Sequence, residues 1–269
     1  MLVFTKMNGA GNDFVLLDNR KKHLALPTEQ IAQLCDRHRG IGADGVLIVE
    51  EPENGADFRM RYYNSDGGEA DMCGNGARCF ARYASRLTGE KTRISFETLA
   101  GIIHADCLGN QVRIQMSKPH SYQTAIPLEV NGQTLPVHFI NTGVPHAVIF
   151  VDDLENTAVH QLGNTIRFHP HFAPKGTNVN FVQTSSSSTG IAIRTYERGV
   201  EAETLACGTG VVASALIHHL AHGASAPVLV NVRGGDNLEV LFKGTAEDFN
   251  NVTLTGPADF VFDGTIDLR

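Results

Sequence analysis

The sequence Cys-Gly-Asn-Gly at residues 73–76 returns as Cys-Gly-Thr-Gly at residues 207–210, 134 positions later. Each copy is followed by an Ala-rich, largely apolar run. The same shift aligns further residues in the same order along the chain: Asp18 with Asp152, Gly42 with Gly176, Asp44 with Asn178, Tyr62 with Tyr196, and Glu69 with Glu203. One constant shift that serves so many separated positions indicates an internal duplication.

The duplication predicts two pseudo-symmetric domains with a boundary near Lys118. We expect the first domain to comprise residues 1–117 and about 260–269, where a last strand-like run returns to it, and the second to comprise residues 118–259. The segment 118–134 carries two prolines and is typical of a linker followed by a hairpin. We expect the active site in the cleft between the two domains.

Short runs of β-branched and aromatic residues, separated by turn residues, dominate the sequence and predict strands. Three helices are predicted, at residues 28–37 and in the segments that follow Cys73 and Cys207. The third is apolar nearly all round, which is typical of a buried helix. The pattern favours an α+β fold in which each half is a mixed or antiparallel, barrel-like roll of strands around a central helix. A serine run at 185–188 predicts a hairpin tip.

Composition narrows the classes of function. The formal net charge of −7 argues against nucleic acid and anionic membranes as partners, because both attract a basic face. No apolar run reaches the length of a bilayer span, and the N-terminus lacks the signature of a signal peptide. Five cysteines are an odd number in a chain of 269 residues, so we expect reduced thiols and a cytoplasmic location rather than a disulfide framework.

The chemistry is expected where each cysteine precedes a helix. The first backbone N–H groups of a helix have no partner within it, and together with the helix dipole they bind anions such as carboxylates. A cysteine in this place has its thiolate stabilised. Each half therefore offers a reactive thiol beside a carboxylate cradle, whereas Cys35, Cys79 and Cys107 lack this context and are interpreted as buried apolar side chains.

Two such thiols suit the inversion of an α-carbon. One removes a proton from one face and the other returns a proton to the opposite face, while the cradles stabilise the charge that develops. The pattern therefore predicts an amino-acid racemase or epimerase in which Cys73 and Cys207 are the acid and base. A non-catalytic amino-acid-binding protein is the alternative, and it would explain the cradles but not a cysteine at each.

The sequence resembles the diaminopimelate epimerase family over nearly its whole length. The resemblance is carried, in order, by MNGAGNDF (7–14), RGIGADG (39–45), YNSDGGEADMCGNGARC (63–79), TGVPHAV (142–148), TNVNFV (177–182) and YERGVEAETLACGTG (196–210). It implies interconversion of LL- and meso-2,6-diaminopimelate in lysine and peptidoglycan synthesis, with no cofactor and no metal, by a homodimer. A proline-type two-cysteine racemase is the second enzyme interpretation, and the charged pair Glu197-Arg198 argues against it, because proline has no distal amino-acid group to bind.

The resemblance also assigns residues. It implies that His146 and Glu197 lie near the catalytic thiols and support their charge state, so that the catalytic set is Cys73, Cys207, His146 and Glu197. Glu197 also faces the distal ammonium, and Arg198 pairs with the distal carboxylate. The substrate-binding set that it implies is Asn12, Asn64, Gly74, Asn75, Asn178, Glu197, Arg198, Gly208 and Thr209.

Two positions depart from the family pattern. Gly45 stands where some members have Gln, and Val144 stands where some have Asn. Both departures remove a polar side chain from the expected substrate site, and Asn141 or Thr142 is the nearest candidate to compensate. Two histidine pairs, His169 with His171 and His218 with His219, supply too few ligands for a structural metal, which takes four.

Overall fold

The computed structural model describes residues 1–184, 190–246 and 248–268. The predicted hairpin tip at 185–188 lies outside these ranges. The chain divides into two compact units, one formed by Met1–Gln115 and Thr255–Arg269 and the other by Met116–Leu254. The first unit is therefore assembled from both ends of the chain, and the second from one continuous stretch.

The described residues form 18 strands and four α-helices. The strands are β1 Leu2–Gly9, β2 Asn12–Asp18, β3 Gly45–Glu50, β4 Phe58–Asn64, β5 Glu69–Ala70, β6 Arg93–Thr98, β7 Gly101–Leu108, β8 Gln111–Gln115, β9 His120–Val130, β10 Gln133–Asn141, β11 Pro145–Phe150, β12 Asn178–Thr184, β13 Gly190–Glu197, β14 Ala202–Thr204, β15 Val228–Asn231, β16 Asn237–Lys243, β17 Asn250–Pro257 and β18 Asp259–Ile266. The helices are α1 Thr28–Cys35, α2 Gly74–Leu87, α3 Val159–Arg167 and α4 Gly208–His222, with a 3₁₀ turn at Pro170–Phe172.

In the first unit the strands surround α2. Strand β1 pairs antiparallel with both β18 and β2, β2 runs parallel to β3, and β3 runs antiparallel to β4. Strand β4 then runs parallel to β6, which continues as an antiparallel meander through β7 and β8. Helix α2 packs against β1–β4 and β6–β8, and its fully buried residues include Ala77, Phe80 and Ala84. A helix enclosed on this many sides explains why small and apolar residues follow Cys73.

The second unit repeats this pairing order around α4. Strand β10 pairs antiparallel with β9 and β11, β11 runs parallel to β12, and β12 runs antiparallel to β13, which runs parallel to β15. Helix α4 packs against β10–β13, β15 and β16, and it ends at Gly223, whose φ of 70° is one that glycine adopts without steric cost. The α+β class and the duplicated rolls around central helices are confirmed.

The two core clusters show that structurally equivalent residues are not always separated by 134 positions. In the first unit α1 packs on a cluster that includes Tyr63, and in the second α3 packs on a cluster that includes Tyr196. The structural counterpart of Tyr196 is therefore Tyr63, one residue beyond the Tyr62 that the sequence shift indicates. A one-residue slip exchanges the two faces of a strand, so register has to be taken from packing rather than from the repeat alone.

The structure differs from the sequence predictions at two places. Helix α3 was not predicted, because Gly163 interrupts its centre. Glycine is needed there since a Cβ atom at 163 would lie 2.4 Å from the Cβ of Tyr196. The hairpin predicted within residues 118–134 is present as the antiparallel pair of β9 and β10, which joins Val130 to Gln133. The linker predicted before it is shorter than expected, because β9 already begins at His120.

Candidate active site

Cys73 occupies the N-cap of α2. Its backbone is extended, with φ −133° and ψ 123°, and its carbonyl oxygen accepts the Ala77 N–H at 2.7 Å. Gly74 and Asn75 form the first turn, where N–H groups lack partners four residues earlier in the helix. Cys73 is half-buried, and its N-cap position lies at the positive end of the helix dipole.

A chain of side-chain amides fixes the backbone beside this cysteine. The Nδ2 of Asn75 donates to the Oδ1 of Asn12 at 2.7 Å, and the Nδ2 of Asn12 donates to the Oδ2 of Asp44 at 2.9 Å. Arg78, which is fully buried, donates from Nη2 to the Oδ1 of Asn75 at 2.9 Å. Two residues predicted to bind substrate, Asn12 and Asn75, are thus brought into direct contact with each other.

Charged groups fix the Asp44 end of this series of hydrogen-bonded side chains. Asp13 lies 2.7 Å from the Lys6 ammonium and 2.8 Å from the Arg37 guanidinium, which also lies 2.7 Å from Asp44. Burial alone would raise the pKa of Asp13, but hydrogen bonds from Arg37 and Lys6 outweigh it and lower the pKa to about 2. The Asp13 carboxylate therefore stays ionised, and the start of β2 is held to the loop before β3.

Asn64 and Gly45 lie at neighbouring positions of β3 and β4. Asn64 is exposed at the end of β4, where its backbone N–H donates to Gly68 at 2.9 Å. That contact is typical of a turn residue, and its role as a ligand residue stays a prediction. Gly45 pairs with it in the antiparallel register. A Cβ at 45 would lie 2.5 Å from the carbonyl oxygen of Tyr63 and 2.8 Å from the ring of Tyr62, so this chain has no room for the larger residue found in some relatives.

Cys207 begins α4 in the same way. Its backbone is extended, with φ −120° and ψ 107°, and its carbonyl oxygen accepts the Val211 N–H at 2.9 Å. The residue is 7% exposed. Its sulfur lies 3.6 Å from the hydroxyl of Thr209, within the longer hydrogen-bonding reach of sulfur. Gly208 and Thr209 form the first helical turn and present their N–H groups as Gly74 and Asn75 do.

His146 is fully buried behind this helix start. Its Nε2 lies 2.9 Å from the Thr209 hydroxyl, and its Nδ1 lies 3.1 Å from the side-chain amide of Asn180. Burial, with a smaller contribution from the nearby Arg198 cation, lowers the pKa of His146 to about 3. The ring is therefore neutral near pH 7. His146 thus contacts the first turn of the helix that begins at Cys207, and its role in supporting a thiol stays a prediction.

Asn178 orients the pair of charged residues at the end of β13. Its Nδ2 donates to the carbonyl oxygen of Pro145 at 3.0 Å, and its Oδ1 accepts the backbone N–H of Arg198 at 2.9 Å. Burial raises the pKa of Glu197, which favours the retention of a proton at this carboxyl. The Arg198 side chain reaches the carbonyl oxygen of Lys175 at 3.4 Å. Both the nitrogen and the oxygen of the Asn178 side-chain amide therefore form hydrogen bonds with backbone groups.

The loop that contains Val144 contributes backbone contacts. The Thr142 N–H donates to the carbonyl oxygen of Val144 at 3.2 Å, and the Asn141 side chain accepts the Gly143 N–H at 2.9 Å. The Thr142 hydroxyl donates to the carbonyl oxygen of Thr209 at 2.9 Å. Neither Asn141 nor Thr142 was placed in the predicted site, but Thr142 fixes the first turn of α4.

The other three cysteines lie in apolar surroundings. Burial raises the pKa of Cys35 to about 11 and that of Cys79 to about 12, and it also raises the pKa of Cys107. The three thiols therefore stay protonated near pH 7, and a protonated thiol is a poor nucleophile and a poor base. Within residues 1–184, 190–246 and 248–268, no group of three or more potential metal-ligating side chains occurs.

Sequence reasoning missed Asn180, Asp44 and Arg78. Asn180 had one usable signal, because asparagines at alternate positions of a strand point to the same face, and Asn178 was already assigned to the site. Asp44 and Arg78 lie within the blocks that carry the family resemblance, but their partners Asn12 and Asn75 are far apart in sequence. Only the folded chain reveals those contacts.

Comparison with known proteins settles the family. A model of the family described as diaminopimelate epimerase matches residues 4–121 and 138–261. The chain belongs to the diaminopimelate epimerase family. It is 44% identical over 277 residues to the diaminopimelate epimerase of Aquifex aeolicus (strain VF5), covering 98% of this chain and 97% of that protein. Against the diaminopimelate epimerase of Pseudomonas savastanoi pv. phaseolicola (strain 1448A / Race 6), the identity is 40% with full coverage of both chains. Membership in the diaminopimelate epimerase family makes this chain an isomerase.

Solved structures of more distant proteins share the fold. A putative phenazine biosynthesis protein from Clostridium difficile (strain 630) superposes with a TM-score of 0.73 at 14% identity, covering 99% of this chain and all of that one. A probable proline racemase from Agrobacterium radiobacter K84 gives a TM-score of 0.71 at 16% identity, covering 100% and 94%. Such low identities establish the architecture only. Among the described residues, no helix is both long enough and apolar enough to cross a bilayer.

Proposed function

We propose that this chain interconverts LL- and meso-2,6-diaminopimelate by proton transfer between the substrate α-carbon and two thiols, those of Cys73 and Cys207. The observation that carries the proposal is the repeated arrangement of a cysteine at the N-cap of a buried helix, in which one residue of the first turn is fixed by a side chain from a neighbouring strand. Family membership supports the choice of substrate.

In this mechanism one cysteine is a thiolate and removes the α-proton, while the other is a thiol and delivers a proton to the opposite face. The roles exchange in the reverse reaction. The N–H groups at Gly74-Asn75 and Gly208-Thr209 bind the α-carboxylate and stabilise the negative charge that spreads onto it as the proton leaves. The proposal requires the two helix starts to face one substrate from opposite sides.

Recognition of the distal end is assigned to the second unit. Arg198 would pair with the distal carboxylate through its planar guanidinium. Glu197 would accept a hydrogen bond from the distal ammonium. Asn178 supports both, since its side chain holds the backbone N–H of Arg198. Asn12 and Asn64 complete the proposed binding set from the first unit.

The deciding experiment is incubation of the reduced protein with LL-diaminopimelate in D₂O, without added cofactor. Chiral chromatography and mass spectrometry would follow configuration and α-deuterium together. We expect meso product that carries one deuterium. Absence of both inversion and exchange would refute the substrate assignment, and proline and glutamate in the same assay would then test other amino acids.

Single substitutions test the two-thiol mechanism. Cys73→Ser and Cys207→Ser should each lose inversion by about 10²- to 10⁴-fold, the usual contribution of one general acid or base. Each variant should still exchange the α-hydrogen of only one configuration, because one thiol reaches one face. Cys79→Ser removes a fully buried thiol and is the control. Equal exchange of both configurations in either active-site variant would contradict the two-base mechanism.

We also propose a homodimer, as the family resemblance implies. Strand β18 exposes Val261 by 56% and Phe262 by 49%, and apolar side chains of this size are typical of a surface that a partner covers. Light scattering should give a dimer for the natural chain and a monomer for V261D/F262D. A cytoplasmic location fits the proposal, because the mechanism needs both thiols reduced. Fractionation of producing cells would test it.

A further inference from the structure

Asn180 is a fully buried polar residue that the proposed mechanism does not yet use. It lies on β12, and a Cβ atom added at Gly210 would approach its Oδ1 to 2.4 Å, so the side chain abuts the first turn of α4. Its Nδ2 lies 3.0 Å from the carbonyl oxygen of Ala147 and 3.1 Å from the Nδ1 of His146. Its Oδ1 accepts the hydroxyl of Thr195 at 3.0 Å.

These contacts determine where the protons lie. A backbone carbonyl only accepts hydrogen bonds, so the atom of Asn180 that faces Ala147 must be the NH₂ group. The second hydrogen of that group points at the Nδ1 of His146, which therefore accepts. Because the ring is neutral, its one proton lies on Nε2, which donates to the hydroxyl of Thr209.

The remaining hydrogen bond then has a fixed direction. The Thr209 hydroxyl oxygen already accepts from His146, so its own hydrogen is available to the Cys207 sulfur 3.6 Å away. We propose that Asn180 is a positioning residue that sets the tautomer of His146 and so directs the Thr209 hydroxyl to donate to the thiolate of Cys207. The inference rests on the proposed function, in which that thiolate is the base.

The helix start of the first unit is built from different side chains. By strand pairing, Phe14 and Leu47 occupy the positions that correspond to His146 and Asn180. Asn75, the counterpart of Thr209, forms an amide–amide hydrogen bond of 2.7 Å with Asn12. At Gly76, the counterpart of Gly210, the nearest side-chain atom is the apolar Cδ2 of Leu47 at 3.4 Å. The duplication has therefore given the two thiols different surroundings, and the polar pair of His146 and Asn180 beside α4 is replaced by the apolar side chains of Phe14 and Leu47 beside α2.

Two measurements that need no substrate test this inference. Long-range ¹H–¹⁵N NMR of the imidazole should show His146 of the natural chain protonated on Nε2 alone, and Asn180→Asp, which replaces the donor with an acceptor, should move the proton to Nδ1. The Nε2 atom would then accept from Thr209 and withdraw the hydroxyl from the sulfur. The midpoint of Cys207 alkylation against pH, read by mass spectrometry, should rise by about one pH unit, or tenfold less thiolate at a given pH.

Controls separate a positioning role from general damage. Cys73 in the same sample should keep its alkylation profile, and so should Cys207 in Asn19→Asp, which changes a buried amide in the other unit. Thr209→Val should reproduce the rise and Thr209→Ser should restore the natural midpoint. If Asn180→Asp does not fold, Asn180→Ala removes the same donor.

The kinetic expectation is a kcat lowered by about tenfold in Asn180→Asp, with KM nearly unchanged, because the relay acts on the base rather than on binding. Protonation of Nδ1 in the natural chain, or an unchanged or lowered Cys207 midpoint in Asn180→Asp, would overturn the inference. Failure of the natural chain to invert diaminopimelate would instead refute the proposed substrate, whatever the NMR and alkylation show.

Discussion

Among the histidines of the second unit whose pKa is lowered by burial, His146 should contribute most to destabilisation by acid. The residue is 0% exposed, and its pKa falls from 6.5 to about 3 on folding. The folded state therefore binds fewer protons than the unfolded state between these values. Neutral His146 contributes stability that is present above pH 6.5 and is lost as the pH falls toward 3.

The expected size follows from that difference in pKa. Each unit corresponds to about 1.4 kcal/mol, so the free energy of unfolding should fall by about 1.4 kcal/mol per pH unit below the unfolded pKa. The whole shift corresponds to about 5 kcal/mol, which is comparable with the total stability of many domains. His146→Gln keeps a polar side chain but has nothing to protonate, so it should lack this part of the pH dependence.

Urea unfolding followed by circular dichroism, at several values from about pH 7.5 to about pH 5, would measure the difference. We expect the curves for the natural chain and His146→Gln to converge as the pH falls, because only the natural chain loses stability at this site. His160→Gln replaces an exposed histidine of the same unit and controls for the substitution itself. Curves that stay parallel for His146→Gln would refute the reasoning.

Two further outcomes follow from the first turn of each central helix and from the ion pairs. Gly76→Ala should leave the free energy of unfolding unchanged or raise it by up to about 1 kcal/mol. Gly210→Ala should lower it by about 1–3 kcal/mol, because the added Cβ would lie 2.4 Å from the Oδ1 of Asn180. Equal urea midpoints for the two variants would contradict this expectation. Asp13→Asn should cost about 3 kcal/mol because it leaves the buried Lys6 cation without its carboxylate partner, and Lys6→Met in the same chain should recover part of the loss; a double variant less stable than Asp13→Asn would argue against that cause.

The parts of the fold that sequence predicts well have strong local patterns. The apolar run at 45–50 and the Ala-rich segments after Cys73 and Cys207 became β3, α2 and α4 because burial on every side leaves little choice of residue. Helix α3 was not predicted because its central glycine is required by close packing against Tyr196, which is far away in sequence. Long-range packing of this kind leaves no periodic signal.

The candidate site shows the same division. A cysteine before a helix is visible in the sequence, since both its chemistry and its position are local. The support behind it is not, because Asn180 reaches His146 from a neighbouring strand and Arg78 reaches Asn75 within a fully buried environment. Alternation along β12 would have pointed to Asn180, but it would not have revealed that the amide acts on a histidine ring.

Because β18 is synthesised last but belongs to the first unit, the order of synthesis affects the order in which the two units can fold. Residues 116–254 form a unit that is complete once that stretch has left the ribosome, whereas the first unit still lacks the strand that pairs with β1. Leu2 has its partner Ile266 almost at the end of the chain, and the N-terminal ammonium lies 3.3 Å from Asp267. The half of the protein that is made first is therefore completed after the second half, and until β18 has been synthesised one edge of β1 has no pairing strand.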